Sequence, residues 1–249
     1  MNISPIAFIK SPFKQKFAIP RQPNLVPEAV GELVFTKEFA DPNCLRGIEQ
    51  FSHLWLIFRF HETADKGWSP LVQPPRLGGK EKVGVFATRS TFRPNGLGMS
   101  VVQNLGWQQQ GGNLVLKVGG LDLLDGTPVV DIKPYVPYAD VYAHAQAGFA
   151  EEPPDNSLPV EFEDAAAQKI ETLKDEYHAL EALIRGVLSQ DPRPAWRQGR
   201  NSGKGGNRKN EEKDEKQYGM ALYDLNIKWR KDPNKIRVLS IEKYDSDSD

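Results

Sequence analysis

Residues 84–100 read Gly84-Val85-Phe86-Ala87-Thr88-Arg89-Ser90-Thr91-Phe92-Arg93-Pro94-Asn95-Gly96-Leu97-Gly98-Met99-Ser100. A short apolar run is followed by a Pro-Asn-Gly sequence and then by a second apolar run, which predicts two strands joined by a turn. The region between the strands also carries Arg89, Arg93 and several hydroxyls, and polar groups between buried strands need partners. Either the arginines of this turn pair with carboxylates or lie in water, or they face an anion in a ligand pocket at the strand ends.

Short apolar runs bounded by Gly, Pro, Asn and Asp recur around this stretch. They cover residues 3–9, 32–35, 51–61, 83–88, 99–105, 113–118 and 129–132. Gly111-Gly112 suits a hairpin turn, and a short helix is expected near residues 46–51. Runs of this length and spacing predict a mainly β chain whose antiparallel sheet closes into a small barrel or folds as a sandwich.

The second part of the chain has a different pattern. Residues 150–159 are acidic and proline-rich and predict a linker between a domain at 1–149 and a smaller α+β domain at 160–249. Apolar residues recur at steps of three and four from Phe162 to Val187, which predicts an amphipathic helix with a possible break near His178. Residues 199–217 are glycine-rich and charged and predict a flexible loop. Residues 218–229 and 235–241 alternate and predict a closing hairpin.

Composition excludes several classes of protein. The chain has 249 residues and a net charge of −1, with one cysteine, Cys44, and four histidines. This rules out an intramolecular disulfide, argues against a structural zinc site and favours a reducing cytoplasm. No apolar run is long enough to cross a bilayer, and the first ten residues lack the features of a secretory signal. Neither a dinucleotide-binding glycine motif nor a P-loop is present.

The charges are sorted along the chain. Residues 1–27 carry four basic side chains and no acid, residues 150–164 carry six acids and no base, and residues 192–210 carry six bases and no acid. Local basic clusters in a neutral protein suit a polyanion that touches a limited surface, such as one arm of a folded RNA.

Three further motifs hold polar groups at strand ends. Pro20-Arg21-Gln22-Pro23 is a restricted loop, which either pre-orders donors for a ligand or is a rigid connection. His61-Glu62 ends the most apolar strand and is either a ligand contact or a surface pair. Residues 122–131 hold three carboxylates, and Asp131 follows two valines on a strand that is expected to be buried, so it requires an arginine of residues 84–100 or a cationic ligand.

Several of these stretches together resemble the TsaA-like family of tRNA methyltransferases. The resemblance rests on residues 11–23 (Ser-Pro-Phe-Lys-Gln-Lys-Phe-Ala-Ile-Pro-Arg-Gln-Pro), 75–79 (Pro-Arg-Leu-Gly-Gly), 84–100, 126–135 (Gly-Thr-Pro-Val-Val-Asp-Ile-Lys-Pro-Tyr) and 190–196 (Gln-Asp-Pro-Arg-Pro-Ala-Trp). It implies a small non-Rossmann β-barrel that binds S-adenosylmethionine, a C-terminal domain and a homodimer. The implied reaction is N6-methylation of threonylcarbamoyl-adenosine, the base just 3′ of the anticodon in threonine tRNA.

The resemblance also implies residue roles. Cofactor contacts fall on Arg21, Gln22, Pro23, His61, Glu62, Arg89, Met99, Asp125, Gly126, Thr127, Pro128 and Val129. Arg89 suits the cofactor carboxylate, and either Asp131 or Glu62 is expected to accept the amine proton. Expected RNA contacts are Lys14, Lys16, Arg93, Arg193 and Arg197.

The sequence departs from the family pattern at two places. Glu62 stands where glutamine is expected, and Arg93-Pro-Asn-Gly-Leu-Gly98 stands where Arg-Pro-Asn-Pro-Ile-Gly is usual. The rival hypotheses are a non-catalytic barrel that senses S-adenosylmethionine or another small ligand and reports to a partner, and a methyltransferase for a different substrate.

Overall fold

The computed structural model describes residues 2–78, 81–193 and 216–244. The chain divides into two compact units. The barrel unit comprises Met1–Pro12 and Arg21–Glu152, and the C-terminal unit comprises Phe13–Pro20 and Pro153–Asp249. Segment Phe13–Pro20 thus belongs to the C-terminal unit although it lies near the start of the chain, which the sequence did not suggest. The sequence-based domain limits, 1–149 and 160–249, stay a prediction.

The barrel unit is built from antiparallel strands. They are β1 (Ala7–Lys10), β2 (Gly31–Phe35), β3 (His53–Arg59), β4 (Leu71–Val72), β5 (Val83–Gly84), β6 (Leu97–Gln110), β7 (Asn113–Gly119) and β8 (Pro128–Pro134), followed by a one-turn helix, α1 (Pro137–Asp140). Six of the strands form a closed barrel in the order β1-β2-β7-β6-β3-β8, and β4 pairs with β5 in a separate two-stranded sheet.

The barrel core includes the buried face of β3, along which burial alternates. In β3, Leu54, Leu56 and Phe58 are buried while the residues between them are half-exposed, as expected where one face of a strand lines a core. Leu33 of β2 and Leu116 of β7 are fully buried with them. The predicted hairpin at Gly111-Gly112 joins β6 to β7, because both glycines adopt positive φ, at 58° and 79°.

Short 3-10 turns connect these strands. In the barrel unit they are Lys37–Phe39, Pro42–Leu45, Ile48–Gln50, His61–Lys66, Pro75–Leu77, Val85–Ala87, Pro94–Gly96 and Gly148–Ala150, and the C-terminal unit contains Lys16–Ala18. The turn at Ile48–Gln50 lies within the short helix expected near residues 46–51.

The prediction of a full strand before the turn in residues 84–100 is wrong. Only Val83–Gly84 is extended and paired, with Leu71–Val72, and the chain then turns at Val85–Ala87. The reason lies in the hydroxyls, which bond to nearby backbone. The Thr88 hydroxyl donates to the Val85 carbonyl at 2.8 Å and accepts from the Ser90 amide at 3.2 Å. Such local bonds compete with a strand ladder.

The C-terminal unit is α+β. Its strands are β9 (Val160–Phe162), β10 (Gln217–Leu222), β11 (Leu225–Asp232) and β12 (Lys235–Lys243), in the sheet order β10-β11-β12-β9, and its helices are α2 (Asp164–Leu173) and α3 (Leu180–Leu188). Strand β9 runs parallel to β12, and the other pairs are antiparallel. Fully buried Leu183 and Ile184 of α3 belong to the unit's core together with Ile227 and Ile236.

Two chain reversals shape this unit. The predicted amphipathic helix is broken between α2 and α3, with Ala179 at φ 51° before α3, as the possible break near His178 indicated. The stretch expected as one strand at 218–229 is instead two strands, β10 and β11, because the chain turns at Tyr223, where φ is 55°. The hairpin that closes the unit is β11–β12, as predicted.

Tyr177 links the helix break to this turn. Its hydroxyl donates to the carboxylate of Asp224, and its ring lies 5.1 Å from that of Tyr223. Burial, followed by the hydrogen bond to Asp224, raises the pKa of Tyr177 to about 12. The Lys243 ammonium donates to Asp224 at 2.8 Å and to Glu176 at 2.9 Å.

Within the described ranges, no helix has the length and apolar character needed to cross a membrane.

Candidate functional site

The loop between β5 and β6 is held by its own side chains. Besides the Thr88 bonds, the Phe92 amide donates to the Ser90 hydroxyl at 3.2 Å, and Nη1 of Arg93 donates to the Thr88 carbonyl at 2.9 Å. The hydroxyls that the sequence singled out therefore fix the loop. Arg89 is exposed at its centre and reaches outward from it.

Arg89 meets the loop that carries Arg21, Gln22 and Pro23. Its Nη1 atom donates to the Gln22 side-chain oxygen at 2.5 Å. Asn24 fastens the same loop to the barrel, because its side-chain amide donates to the Val101 carbonyl at 3.0 Å and its backbone amide donates to the Gly120 carbonyl at 2.9 Å. Two segments that are far apart in sequence, and that the sequence analysis treated separately, therefore come together here.

Asp122 completes this group. Its Oδ1 atom is buried without a hydrogen-bond partner among the described residues, which is costly for a carboxylate. Burial raises the pKa of Asp122 to about 6, although a hydrogen bond from Ser100 and the charge of Arg89 act in the opposite direction. We call Gln22, Arg89, Ser100 and Asp122 the Asp122 cluster. It combines a cation, an amide and a partly neutralised carboxylate, and can receive a ligand that carries groups of both charges.

Residues 125–129 form the turn that enters β8. Gly126 adopts φ 74°, and its amide donates to the Ile9 carbonyl at 2.8 Å. Asp125 accepts from the Ser11 amide at 2.8 Å, and the Thr127 hydroxyl donates to the Leu124 carbonyl at 2.7 Å. The turn is therefore rigidly attached to β1, and Gly126 is exposed, with no side chain to block a close approach.

The remaining predicted cofactor residues lie where β3 ends and β6 begins. His61 and Glu62 open the 3-10 turn His61–Lys66, with Nε2 of His61 3.9 Å from Oε1 of Glu62. Met99 lies opposite Ile57 in the β3–β6 ladder and is 57% exposed.

The expectation that Asp131 is buried is wrong. Its side chain is 48% exposed, and its carboxylate lies 3.4 Å from the Lys133 ammonium. A bulge in β8 opposite Ile57 and Phe58 sets the register so that Asp131 pairs with Ile57, on the half-exposed face of the barrel that also carries Met99. Asp131 therefore has no need of a buried arginine or a cationic ligand.

The expected RNA contacts divide between the two units. Lys14 and Lys16 are exposed in the C-terminal unit, and Arg93 is half-buried in the barrel unit. Arg193 is only 12% exposed and forms a two-pronged ion pair with Asp191, at 2.8 and 2.7 Å. Arg197 lies outside the described residues, as does most of the basic loop at 199–217.

Sequence reasoning missed the importance of Asp122, Ser100 and Asn24. Asp122 was noted only as one of three carboxylates, and attention went to Asp131 because two valines precede it. An available signal was the sequence Gly119-Gly-Leu-Asp122-Leu-Leu, in which a single charge interrupts an apolar run directly after a strand.

Among the residues that the structure describes, no group of three or more His, Cys, Asp or Glu side chains is placed to hold a metal ion.

The fold places this protein in the class of small β-barrel proteins that carry a second, α+β unit. Two family models match its sequence, one for each unit. The tRNA-methyltransferase O N-terminal domain matches residues 8–141, and the TrmO C-terminal domain matches residues 155–244. The chain belongs to the tRNA-methyltransferase O family.

Relatives match over nearly the full chain. A tRNA (adenine(37)-N6)-methyltransferase of Escherichia coli is 45% identical over 95% of this chain and 96% of its own. A putative S-adenosylmethionine-dependent methyltransferase, RcsF, of Pseudomonas aeruginosa is 44% identical over 96% of this chain and 97% of its own. The crystal structure of TrmO from Pseudomonas aeruginosa matches with a TM-score of 0.77 and 39% identity, covering 97% of this chain and 98% of the other.

Proposed function

We propose that this protein is an S-adenosylmethionine-dependent methyltransferase that methylates N6 of the adenosine at position 37 of tRNA. The observation that carries the proposal is the 45% identity, over 95% of the chain, to a protein of Escherichia coli named for this reaction. The proposed substrate form is threonylcarbamoyl-adenosine in the anticodon loop of threonine tRNA. The proposed enzyme is a cytoplasmic homodimer.

The Asp122 cluster fits the proposed cofactor. S-adenosylmethionine carries a carboxylate, an ammonium and a sulfonium, so a site for it needs both a cation and an acceptor. Arg89 supplies the cation, and the buried Oδ1 of Asp122 supplies an acceptor that lacks a partner among the described residues. We assign to the same site the other residues that the family resemblance implies, namely Arg21, Gln22, Pro23, His61, Glu62, Met99 and Asp125–Val129.

The protein's contribution to the reaction is mainly orientation. When bound, the cofactor supplies an electrophilic methyl group on a sulfonium. The residues of the site would hold the accepting amine close to that methyl group, and such positioning can account for much of the acceleration. The loop that carries Arg21 to Pro23 is fixed by Asn24, which keeps Gln22 and Arg89 in place without reorganisation.

The amine also loses a proton during transfer. Glu62 and Asp131 are the proposed acceptors, and both side chains are about half exposed, at 53% and 48%. Exposure allows either carboxylate to pass the proton on to water. If Asp131→Asn leaves turnover unchanged while cofactor binding is intact, Asp131 is not the acceptor and the role falls to Glu62.

Incorporation of a labelled methyl group into RNA tests this proposal. The purified protein is incubated with methyl-labelled S-adenosylmethionine and total tRNA, and radioactivity in the RNA is counted. We expect incorporation by the wild-type protein, a loss of at least tenfold in Arg89→Ala, and no change in Arg46→Ala, an exposed arginine of the barrel unit outside the site. Cofactor binding without incorporation would support the rival, non-catalytic sensor.

A further inference from the structure

A second feature of the barrel unit lies beside the residues assigned to the cofactor. A cleft of about 220 Å³ opens where β3 ends and β6 begins. Its walls include Arg59, Thr63, Trp68, Thr91 and Arg93, and we call it the Trp68 cleft. Thr63 belongs to the same 3-10 turn as His61 and Glu62, so the cleft adjoins the proposed cofactor site along the chain.

The walls of the cleft combine three kinds of binding group. Arg59 and Arg93 contribute two guanidinium groups, which suit a phosphate. The Trp68 side chain is 58% exposed, although burial of an indole is normally favourable. The Thr63 hydroxyl is buried and has no hydrogen-bond partner among the described residues, and Thr63 as a whole is only 8% exposed. The exposed indole and the unpaired Thr63 hydroxyl each lack a contact that a ligand would supply, whereas Arg93 also donates to the Thr88 carbonyl.

One wall of the cleft is held in an unusual backbone conformation. Asn95 and Gly96 both adopt positive φ, at 66° and 59°, a conformation that is uncommon outside glycine and that asparagine adopts more readily than most residues. The Phe60 amide donates to the Gly96 carbonyl at 2.8 Å, and the Gly96 amide donates to the Arg93 carbonyl at 3.0 Å. These bonds fix the wall before any ligand arrives, as expected of a preorganised site.

The chemistry of the cleft separates it from the cofactor site. The described residues that line it include two arginines and no carboxylate, so the ammonium and sulfonium of S-adenosylmethionine would find no counter-charge there. The Asp122 cluster does provide one. The volume of about 220 Å³ lies below the roughly 300–1,000 Å³ of pockets that enclose a whole drug-sized ligand. The size and charge of the cleft therefore suit one part of a larger anionic ligand.

We propose that the Trp68 cleft binds one nucleotide of the tRNA anticodon loop that flanks the methylated adenosine. Arg59 and Arg93 hold its phosphate, Trp68 stacks on its base, and the Thr63 hydroxyl bonds to it. Unpaired loop bases are commonly recognised by stacking on aromatic side chains together with contacts to the backbone. The inference rests on the proposed function because it takes tRNA as the ligand. It adds the place on the protein where the anticodon loop is bound.

The test separates RNA binding from cofactor binding and from catalysis. The affinity of an anticodon-arm stem-loop is measured by fluorescence anisotropy, and that of S-adenosylmethionine by calorimetry, for wild type, Trp68→Ala, Trp68→Phe, Arg59→Ala, Thr63→Val and the control Arg46→Ala. We expect Trp68→Ala to weaken RNA binding about 5- to 150-fold, the range that stacking of one base supplies. Trp68→Phe should retain most of the affinity, and Thr63→Val should lose severalfold.

Cofactor affinity should stay within twofold of wild type in every variant. Arg59→Ala should also lower the slope of log affinity against log salt by about 0.7, the value for one lost contact to a single strand. RNA affinity that is unchanged in both Trp68→Ala and Arg59→Ala would overturn the inference. So would a selective loss of cofactor affinity, which would assign the cleft to S-adenosylmethionine. A wild-type protein that binds the stem-loop but transfers no methyl group would contradict the proposed function. The RNA affinities of the variants would still decide whether the Trp68 cleft binds RNA.

Discussion

Asp122 gives the barrel unit a stability that depends on pH. Burial raises its pKa from 3.8 to about 6, so the folded state binds this proton more tightly than the unfolded state does. The stabilisation is fully present below pH 3.8 and is lost as the pH rises through 6, a change of roughly 3 kcal/mol. We expect Asp122→Asn to remove this dependence and to be more stable than wild type at pH 7. Urea unfolding between pH 4 and 7 measures it, and parallel curves for the two proteins would contradict the assignment.

The same group should control cofactor affinity. The ionised carboxylate attracts the cofactor's positive groups, so S-adenosylmethionine binding should weaken about fivefold as the pH falls from 6 to 5. In Asp122→Asn the affinity should be lower at pH 7 and nearly flat over this range. Calorimetric titration at several pH values checks both statements, and an equal pH dependence in the variant would show that another group is responsible.

At the level of residues, sequence reasoning noted that Arg89 needs a partner, which the structure provides in Gln22, but it expected burial at Asp131 rather than at Asp122. Donors such as Arg89 and Gln22 stand out because they interrupt apolar runs near turns. The burial of Asp131 and Asp122 depends instead on register and on chain reversals. The bulge in β8 turns Asp131 outward, and the segment after β7 brings Asp122 to Ser100. The bulge has no local sequence signal, and the burial of Asp122 is signalled locally only by its place in the apolar run after β7.

Among the elements, the loop that carries Gln22 depends on a glycine at the end of β7. Gly120 adopts φ 67°, and a Cβ atom there would lie 2.2 Å from the Oδ1 atom of Asn24. Gly120→Ala should cost at least about 1–2 kcal/mol for the left-handed backbone, and should also displace the loop and weaken cofactor binding. Gly106→Ala is the matched control, since Gly106 has φ 91° and nothing lies within 4 Å of the added carbon.

The free energy of unfolding and the cofactor affinity are measured for both glycine variants. Together they separate the backbone strain at positive φ, which both variants share, from the steric clash with Asn24, which only Gly120→Ala has. Both variants should lose stability, and only Gly120→Ala should lose cofactor affinity. Equal affinities would mean that the position of the loop does not matter for the site.

Strands marked by apolar runs and glycine turns were predicted well, and turns that depend on side-chain contacts were not. Strand β3 is marked in the sequence by a continuous apolar run of strand length, and glycines mark the β6–β7 turn. The turn at Tyr223 has no glycine or asparagine, and is instead accompanied by the contacts of Tyr177 with Asp224 and Tyr223. Such long-range contacts cannot be inferred from the local pattern.

At the scale of the whole molecule, segment Phe13–Pro20 shows that a compact unit need not be a continuous stretch of the chain, as the sequence-based division had assumed. Phe13 is fully buried and pairs with Leu222, more than two hundred positions further along the chain. The sequence predicted two units from composition. It contained no sign that the basic segment with Lys14 and Lys16 belongs to the second one.

That placement leads to a prediction about RNA binding. Lys14 and Lys16 are exposed, and both are expected RNA contacts from the sequence analysis. The double variant Lys14→Ala/Lys16→Ala should lower the slope of log affinity against log salt by roughly 1.4 to 1.8, about 0.7 to 0.9 for each contact. Filter binding of tRNA over a range of salt concentrations measures the slope. A slope equal to that of wild type would remove this segment from the interface.

The most direct test of the central claim is nucleoside mass spectrometry of tRNA after reaction with methyl-labelled S-adenosylmethionine. The claim predicts a labelled methyl group on threonylcarbamoyl-adenosine of threonine tRNA, absent in Arg89→Ala and retained in Arg46→Ala. A label on a different nucleoside would place the substrate elsewhere. Cofactor binding with no labelled nucleoside at all would contradict the claim that this protein is a tRNA methyltransferase.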